Sequence, residues 1–276
     1  MKRFITSLVI SAILPLFANS FTEITVKLKM DTSSYIMGER IRAVVDVANA
    51  SDDIVDVGKP NSPDRLILEL FRASDKFQFE KRSYTPFVAP FSLLSGEGQR
   101  LETFFDDHFP FHDESRYLAR AVLIHKGMRF ESSYKSFDVV PGLKCGSAVQ
   151  MFAQVPNLTR EFELVHWERN RKQHIFLKAK DTGVKTRRWV TKDLGPFLRV
   201  NNPKISILTT GEIIVLHRTN QDLFIRSEFW SLPDVLEFHS HELMNDPYVA
   251  NSERVKALYK EAGGVEPVKK AWWKFW

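Results

Sequence analysis

Apolar and polar residues alternate along much of the chain. Between Ile24 and Met30, the residues Ile24, Val26, Leu28 and Met30 alternate with Thr25, Lys27 and Lys29, the two-residue period of a strand with one buried face. The pattern restarts after Gly38-Glu39 with Ile41, Ala43, Val45 and Val47, and stops at Asn49-Ala50-Ser51-Asp52. Further strands are expected at Leu66 to Phe71, Phe77 to Arg82, Leu101 to Phe105, Tyr117 to Ile124 and Phe130 to Val139. Short strands spaced by turn residues argue for a β-sandwich.

Pro141-Gly142 is a turn signal that places a boundary there. Beyond it, strands are expected at Ala148 to Gln154, Glu161 to Glu168, His174 to Lys180, Arg188 to Leu194, Ile205 to Leu208, Ile213 to Arg218 and Leu223 to Trp230. Two hairpins read as related, Leu164-Val165-His166 with Gln173 to Lys178 and Val215-Leu216-His217 with Gln221 to Arg226. The period then changes. Val255, Leu258, Tyr259 and Ala262 fall on one helical face, capped by Asn251 or Ser252 and stopped by Gly263. The fold class expected is mainly β: a leader over 1–20, an N-terminal sandwich over 21–141, a linker over 142–147, a second β domain of hairpins over 148–246, a docked helix over 250–263 and an aromatic-basic tail over 264–276.

The run Tyr35-Ile36-Met37-Gly38-Glu39-Arg40-Ile41 before an alternating strand resembles the opening of immunoglobulin-like sandwich modules of the macroglobulin and bacterial-surface type. Asp113-Glu114-Ser115-Arg116-Tyr117-Leu118-Ala119 resembles their tyrosine corner, in which a tyrosine bonds back to upstream backbone. Tyr117 takes that place, and Ala119 stands where antibody-type domains carry a cysteine. The resemblance covers about residues 24–140. It implies a scaffold or binding module, a fold that hosts many functions.

With 43% hydrophobic and 26% charged residues over 276 positions, the composition is that of a globular chain and excludes disorder as its main state. The N-terminus sets the compartment. Lys2 and Arg3, an apolar run from Phe4 to Phe17, and Ala18 and Ser20 before Phe21 have the form of a secretory signal peptide cleaved near Ser20-Phe21. A secreted or periplasmic location follows, with no membrane-spanning segment in the mature chain. Cys145, the single cysteine, then has no partner for an internal disulfide.

The net charge of +5 is unevenly spread. Residues 21–141 carry 16 basic and 19 acidic side chains, and residues 142–276 carry 21 and 15. Between 169 and 192, nine basic residues face only Asp181. Arg169, Arg171, Lys172, Arg187 and Arg188, with Trp167 and Trp189 among them, form the candidate ligand site for an anionic partner: a glycan, an envelope surface or another exported protein. Export disfavours intracellular nucleic acid. Trp272, Trp273, Phe275 and Trp276, interleaved with lysine, suit a groove on this protein, a partner groove or a membrane interface.

His239 and His241, two apart, would point one way on a regular strand and are the candidate metal pair. Asp106 to Glu114 is an oxygen-rich cluster without EF-hand spacing. No serine elbow, His-Glu-x-x-His helix or glycine-rich phosphate loop occurs, so no catalytic residue and no cofactor are assigned. The function expected is an exported, non-catalytic binding or structural protein. The alternative is an extracellular polysaccharide hydrolase with its site between the two domains.

Overall fold

The computed structural model describes residues 24–81, 86–183, 189–221 and 223–245. The leader, the helix over 250–263 and the tail therefore lie outside the described residues.

The first strands are β1 (Ile24–Met30), β2 (Ser34–Ile36), β3 (Arg42–Asn49), β4 (Val55–Val57), β5 (Arg65–Arg72), β6 (Phe91–Leu93), β7 (Gly98–Phe104), β8 (Ser115–His125), β9 (Met128–Glu131) and β10 (Lys135–Val140). They form a three-stranded sheet, β1-β3-β7, a sheet in the order β2-β10-β8-β5 with β9 on β8, and a small β4-β6 pair. The alternation read at Ile24 to Met30 decides the layering. Ile24, Val26 and Leu28 join Leu68, Leu70, Tyr117, Ala119, Phe137 and Val139 of the facing sheet in one core, while Lys27 and Lys29 point outward. The Tyr117 hydroxyl donates to the carbonyl of Asp113 at 2.9 Å, the backward contact of a tyrosine corner.

The remaining strands are β11 (Leu143–Met151), β12 (Thr159–Arg169), β13 (Lys172–Thr182), β14 (Trp189–Pro196), β15 (Lys204–Ile207), β16 (Glu212–Arg218), β17 (Leu223–Ser231) and β18 (Leu236–Asn245). They make two antiparallel meanders, β11-β12-β13-β14 and β15-β16-β17-β18. Phe162, Leu164, Ile175 and Leu177 of the first pack with Ile213, Val215 and Phe229 of the second. The two hairpins that read as related, β12-β13 and β16-β17, are thus the central pairs of the two facing sheets.

Three expectations change. Residues 143–147, read as a linker, open β11, because Gly142 at φ 74 turns the chain straight from β10 into the next strand. Only glycine fits there, since a Cβ would lie 2.8 Å from Val165 and 3.2 Å from Ile36. The strand read over Phe130 to Val139 is two strands, broken where Ser132 donates its amide to Ala121 and accepts the Ala121 amide on its hydroxyl. Phe77 to Arg82 supplies a single bridge, Gln78 to Phe71, and no strand among its described residues.

Candidate functional site

β12 and β13 are joined by a two-residue turn, since Arg169 pairs with Lys172. Asn170 and Arg171 both adopt left-handed backbone, at φ 51 and 63. That is the turn whose twist matches antiparallel strands, and its second position favours glycine. Arg171 occupies it instead, exposed beside exposed Lys172.

The six described basic residues of the 169–192 run do not form one patch. Lys180 lies directly across from Glu161, and Lys178 across from Glu163, which also accepts Lys144 at 3.0 Å. Cross-strand register thus sets glutamates, distant in the sequence, against these lysines, around a groove that Thr191 also lines. Lys192 sits over the Phe238 ring at 5.0 Å. β13 is 11 residues long, so its two ends are about 33 Å apart. Arg171 and Lys172 are at one end, and the chain that follows Thr182 begins at the other. Arg187 and Arg188 lie outside the described residues; Trp189 begins β14, with its side chain likewise undescribed.

Arg169 and Trp167 are held elsewhere. The Arg169 guanidinium donates to Glu39 Oε2 at 2.6 Å and to Asp193 Oδ2 at 2.9 Å, with its carbon 4.8 Å from the Phe176 ring centre. Arg169 and Glu39 are each only 12% exposed. Glu39 Oε2 also accepts the Ile36 amide at 3.0 Å, and Asp193 accepts the Gly195 amide at 2.8 Å and lies 3.0 Å from His174 Nδ1. Burial pushes the Asp193 carboxyl up, but His174, the Gly195 amide and Arg169 outweigh it and hold it below the usual carboxylate range. Trp167 Nε1 donates to Ser34 Oγ at 2.9 Å, and Thr191 donates its amide to Gly38 and its hydroxyl to Met37. Ile36, Val165 and Phe176 form a small apolar cluster beside these bonds. Two of the seven candidate ligand residues therefore tie β12 to the chain around β2. Glu39, His174 and Asp193, which belong to the same network, had no signal in the sequence: Glu39 is 130 residues from the arginine it meets.

The histidine pair is separated by a β-bulge, with Ser240 opposite Glu228 and Phe238 opposite Phe229, so His239 has no cross-strand partner. His241 Nδ1 lies 3.0 Å from Ser227 Oγ, while His239 meets the Trp230 ring edge-on. Ser227 and Trp230 are on opposite faces of β17, so the two rings do not converge. No group of three or more His, Cys, Asp or Glu suited to a metal occurs among the described residues. In the oxygen-rich loop, Asp106 accepts the Ile41 amide and Asp107 binds Arg40. Cys145 is half-buried, with its Sγ 3.4 Å from the Leu164 carbonyl, and burial pushes its thiol up to about 11, so it is protonated at neutral pH.

These features define the class, a mainly-β protein of several sheets. No helix of the described residues is long and apolar enough to cross a membrane. No family model matches the chain, and no curated protein matches it. Among solved structures, Spo0M, a sporulation control protein from Bacillus subtilis, aligns at 10% identity over 87% of this chain and 97% of its own, with a TM-score of 0.30. A score that low carries no argument about fold or function.

Proposed function

We propose that the chain is an exported, non-catalytic binding protein of two β domains, the first immunoglobulin-like, whose second domain presents a cationic hairpin tip to an anionic glycan. The observation that carries this reading is Arg171. An exposed arginine sits at φ 63, where glycine would be relaxed, at a backbone cost of about 1 kcal/mol. Lys172 adds a second cation beside it, and Arg169 below is neutralised by Glu39 and Asp193, so the free charge is at the tip.

The hydrolase alternative needs free carboxylates at the junction. Glu39 and Asp193 are both bound to Arg169 instead. The Trp272, Trp273, Phe275 and Trp276 tail is proposed as a second contact, with a partner or membrane.

The test is retention on immobilised heparin, beside binding to anionic liposomes and to an acidic protein. Arg171→Glu with Lys172→Glu should reduce heparin retention at least tenfold. Arg171→Gly should weaken retention while stabilising the fold, a split that a purely structural arginine would not produce. Unchanged retention in both variants refutes the glycan reading; loss confined to liposomes or to the acidic protein replaces the glycan with that partner.

A further inference from the structure

The β15-β16-β17-β18 sheet has a face for which no described partner is evident. Its inner face carries Ile213, Val215 and Phe229, which pack against β12 and β13. Strand alternation and register then place Ile214 and Leu216 of β16 and Phe224 of β17 on the outer face, with Met244 of β18 directly across from Phe224. The sheet's main contact with other described strands is β15 against β11. An outer face meeting only water leaves apolar side chains exposed, as on β11, where Val149 and Met151 are 60% and 82% exposed. Ile214, Leu216 and Phe224 are 8%, 9% and 4% exposed. Ser240 Oγ, on the same face, is buried without a hydrogen-bond partner.

We propose that this face is covered by the chain's own next segment, with residues 251–262 forming a helix whose Val255, Leu258, Tyr259 and Ala262 side lies on Ile214, Leu216 and Phe224. The described chain ends at Asn245 on β18, the edge strand of this same sheet. Five residues, Asp246 to Ala250, can span up to about 17 Å. A 12-residue helix is about 18 Å long, and four strands place the outermost pair about 14 Å apart, so one helix covers the sheet's width. The apolar spacing of 255, 258, 259 and 262 gives that helix one face for the sheet and leaves Arg254, Lys256, Lys260 and Glu261 for solvent. The surface is separate from the Arg171 tip and does not depend on it.

The test uses the full chain in a Cys145→Ser background, with one cysteine introduced on the face (Leu216→Cys or Phe224→Cys) and one on the segment (Leu258→Cys or Tyr259→Cys). Mild oxidation should give a disulfide within the monomer, at least tenfold faster than in a control pairing Val149→Cys with Leu258→Cys. Disulfide-linked dimers would show that a second copy covers the face, and rates equal to the control would show that the segment lies elsewhere; either overturns the proposal. Because cysteines at buried positions can unfold the sheet, hydrogen exchange on a Leu258→Asp, Tyr259→Asp chain provides a second reading. Amides of β16 and β17 should lose at least tenfold protection while those of β1-β3-β7 keep theirs, and unchanged protection in β16 and β17 also overturns it.

Discussion

Replacing Arg169 by methionine removes the cation that Glu39 and Asp193 share. Breaking a fully buried ion pair from one side costs about 3–5 kcal/mol, because the remaining charge is left without a partner. Here the pair keeps 12% exposure, Glu39 keeps the Ile36 amide, and Asp193 keeps the Gly195 amide and His174. A loss of about 2–3 kcal/mol is therefore expected. Glu39→Gln, which still accepts from Ile36, should cost about 1 kcal/mol, and the double variant should show a coupling of about 1–2 kcal/mol. Urea unfolding at pH 7 measures all three. No tryptophan precedes Trp167, and Trp167, Trp189 and Trp230 lie on β12, β14 and β17, so fluorescence carries no signal from a tryptophan within β1 to β10, while far-ultraviolet circular dichroism follows the whole chain. In the parent protein the two signals should change together, and in Arg169→Met they should separate, since the network joins the core around Tyr117 to the core around Phe162. A coupling below about 0.5 kcal/mol with coincident transitions would refute the argument that this network holds the two cores together.

Other consequences are as direct. His217 is 1% exposed with neither ring nitrogen in a hydrogen bond of good geometry, although the Pro196 carbonyl faces it. Burial, helped by His241 and opposed by Asp193, pushes its imidazole down to about 4. Protonation then favours the unfolded chain, whose histidine titrates near 6.5; this stabilising contribution is full above pH 6.5 and is lost as the pH falls toward about 4, by about 3 kcal/mol in all. Urea titrations between pH 7 and 4.5 should show that slope reduced in His217→Phe, and parallel curves would remove His217 as the cause. Arg160 is 1% exposed, forks onto Asp181 at 2.6 and 3.0 Å and also binds Ser231 and the carbonyls of Leu232 and Val235. Arg160→Met should cost about 3–5 kcal/mol by leaving Asp181 buried and unpaired, and Asp181→Asn in that background should recover part of it in the same melts. Gly183→Ala should lower the melting temperature by more than 10 °C, since at φ 81 a Cβ would lie 1.7 Å from the Asn157 carbonyl oxygen; a smaller shift would mean that the Asn157 turn yields easily.

The two-residue alternation made most strands legible, because a strand with one wet face must repeat at that period wherever it lies in the fold. Ile24 to Met30 and Ile41 to Val47 were readable for that reason, whereas β16, buried on both faces, was readable as the unbroken apolar run Ile213 to Leu216. Tyr117 was readable as well, since its bond returns only four residues. Local sequence failed where one residue changes the count. A single bulge parts His239 from His241, and one glycine at positive φ turns an expected linker into β11.

The sequence by itself determined the class of fold and the total of charge in each half, because both follow from residue type and period. Only the tertiary structure decided which charges are free. Arg169 is counted with its basic neighbours along the chain, yet in space it belongs to Glu39 and Asp193, and Lys178 faces Glu163 across a strand pair. Coulomb interactions at these ranges depend on distance through space, and the folded register sets that distance. What remains exposed as cation at the hairpin tip is Arg171 and Lys172, on a turn whose backbone would suit glycine better.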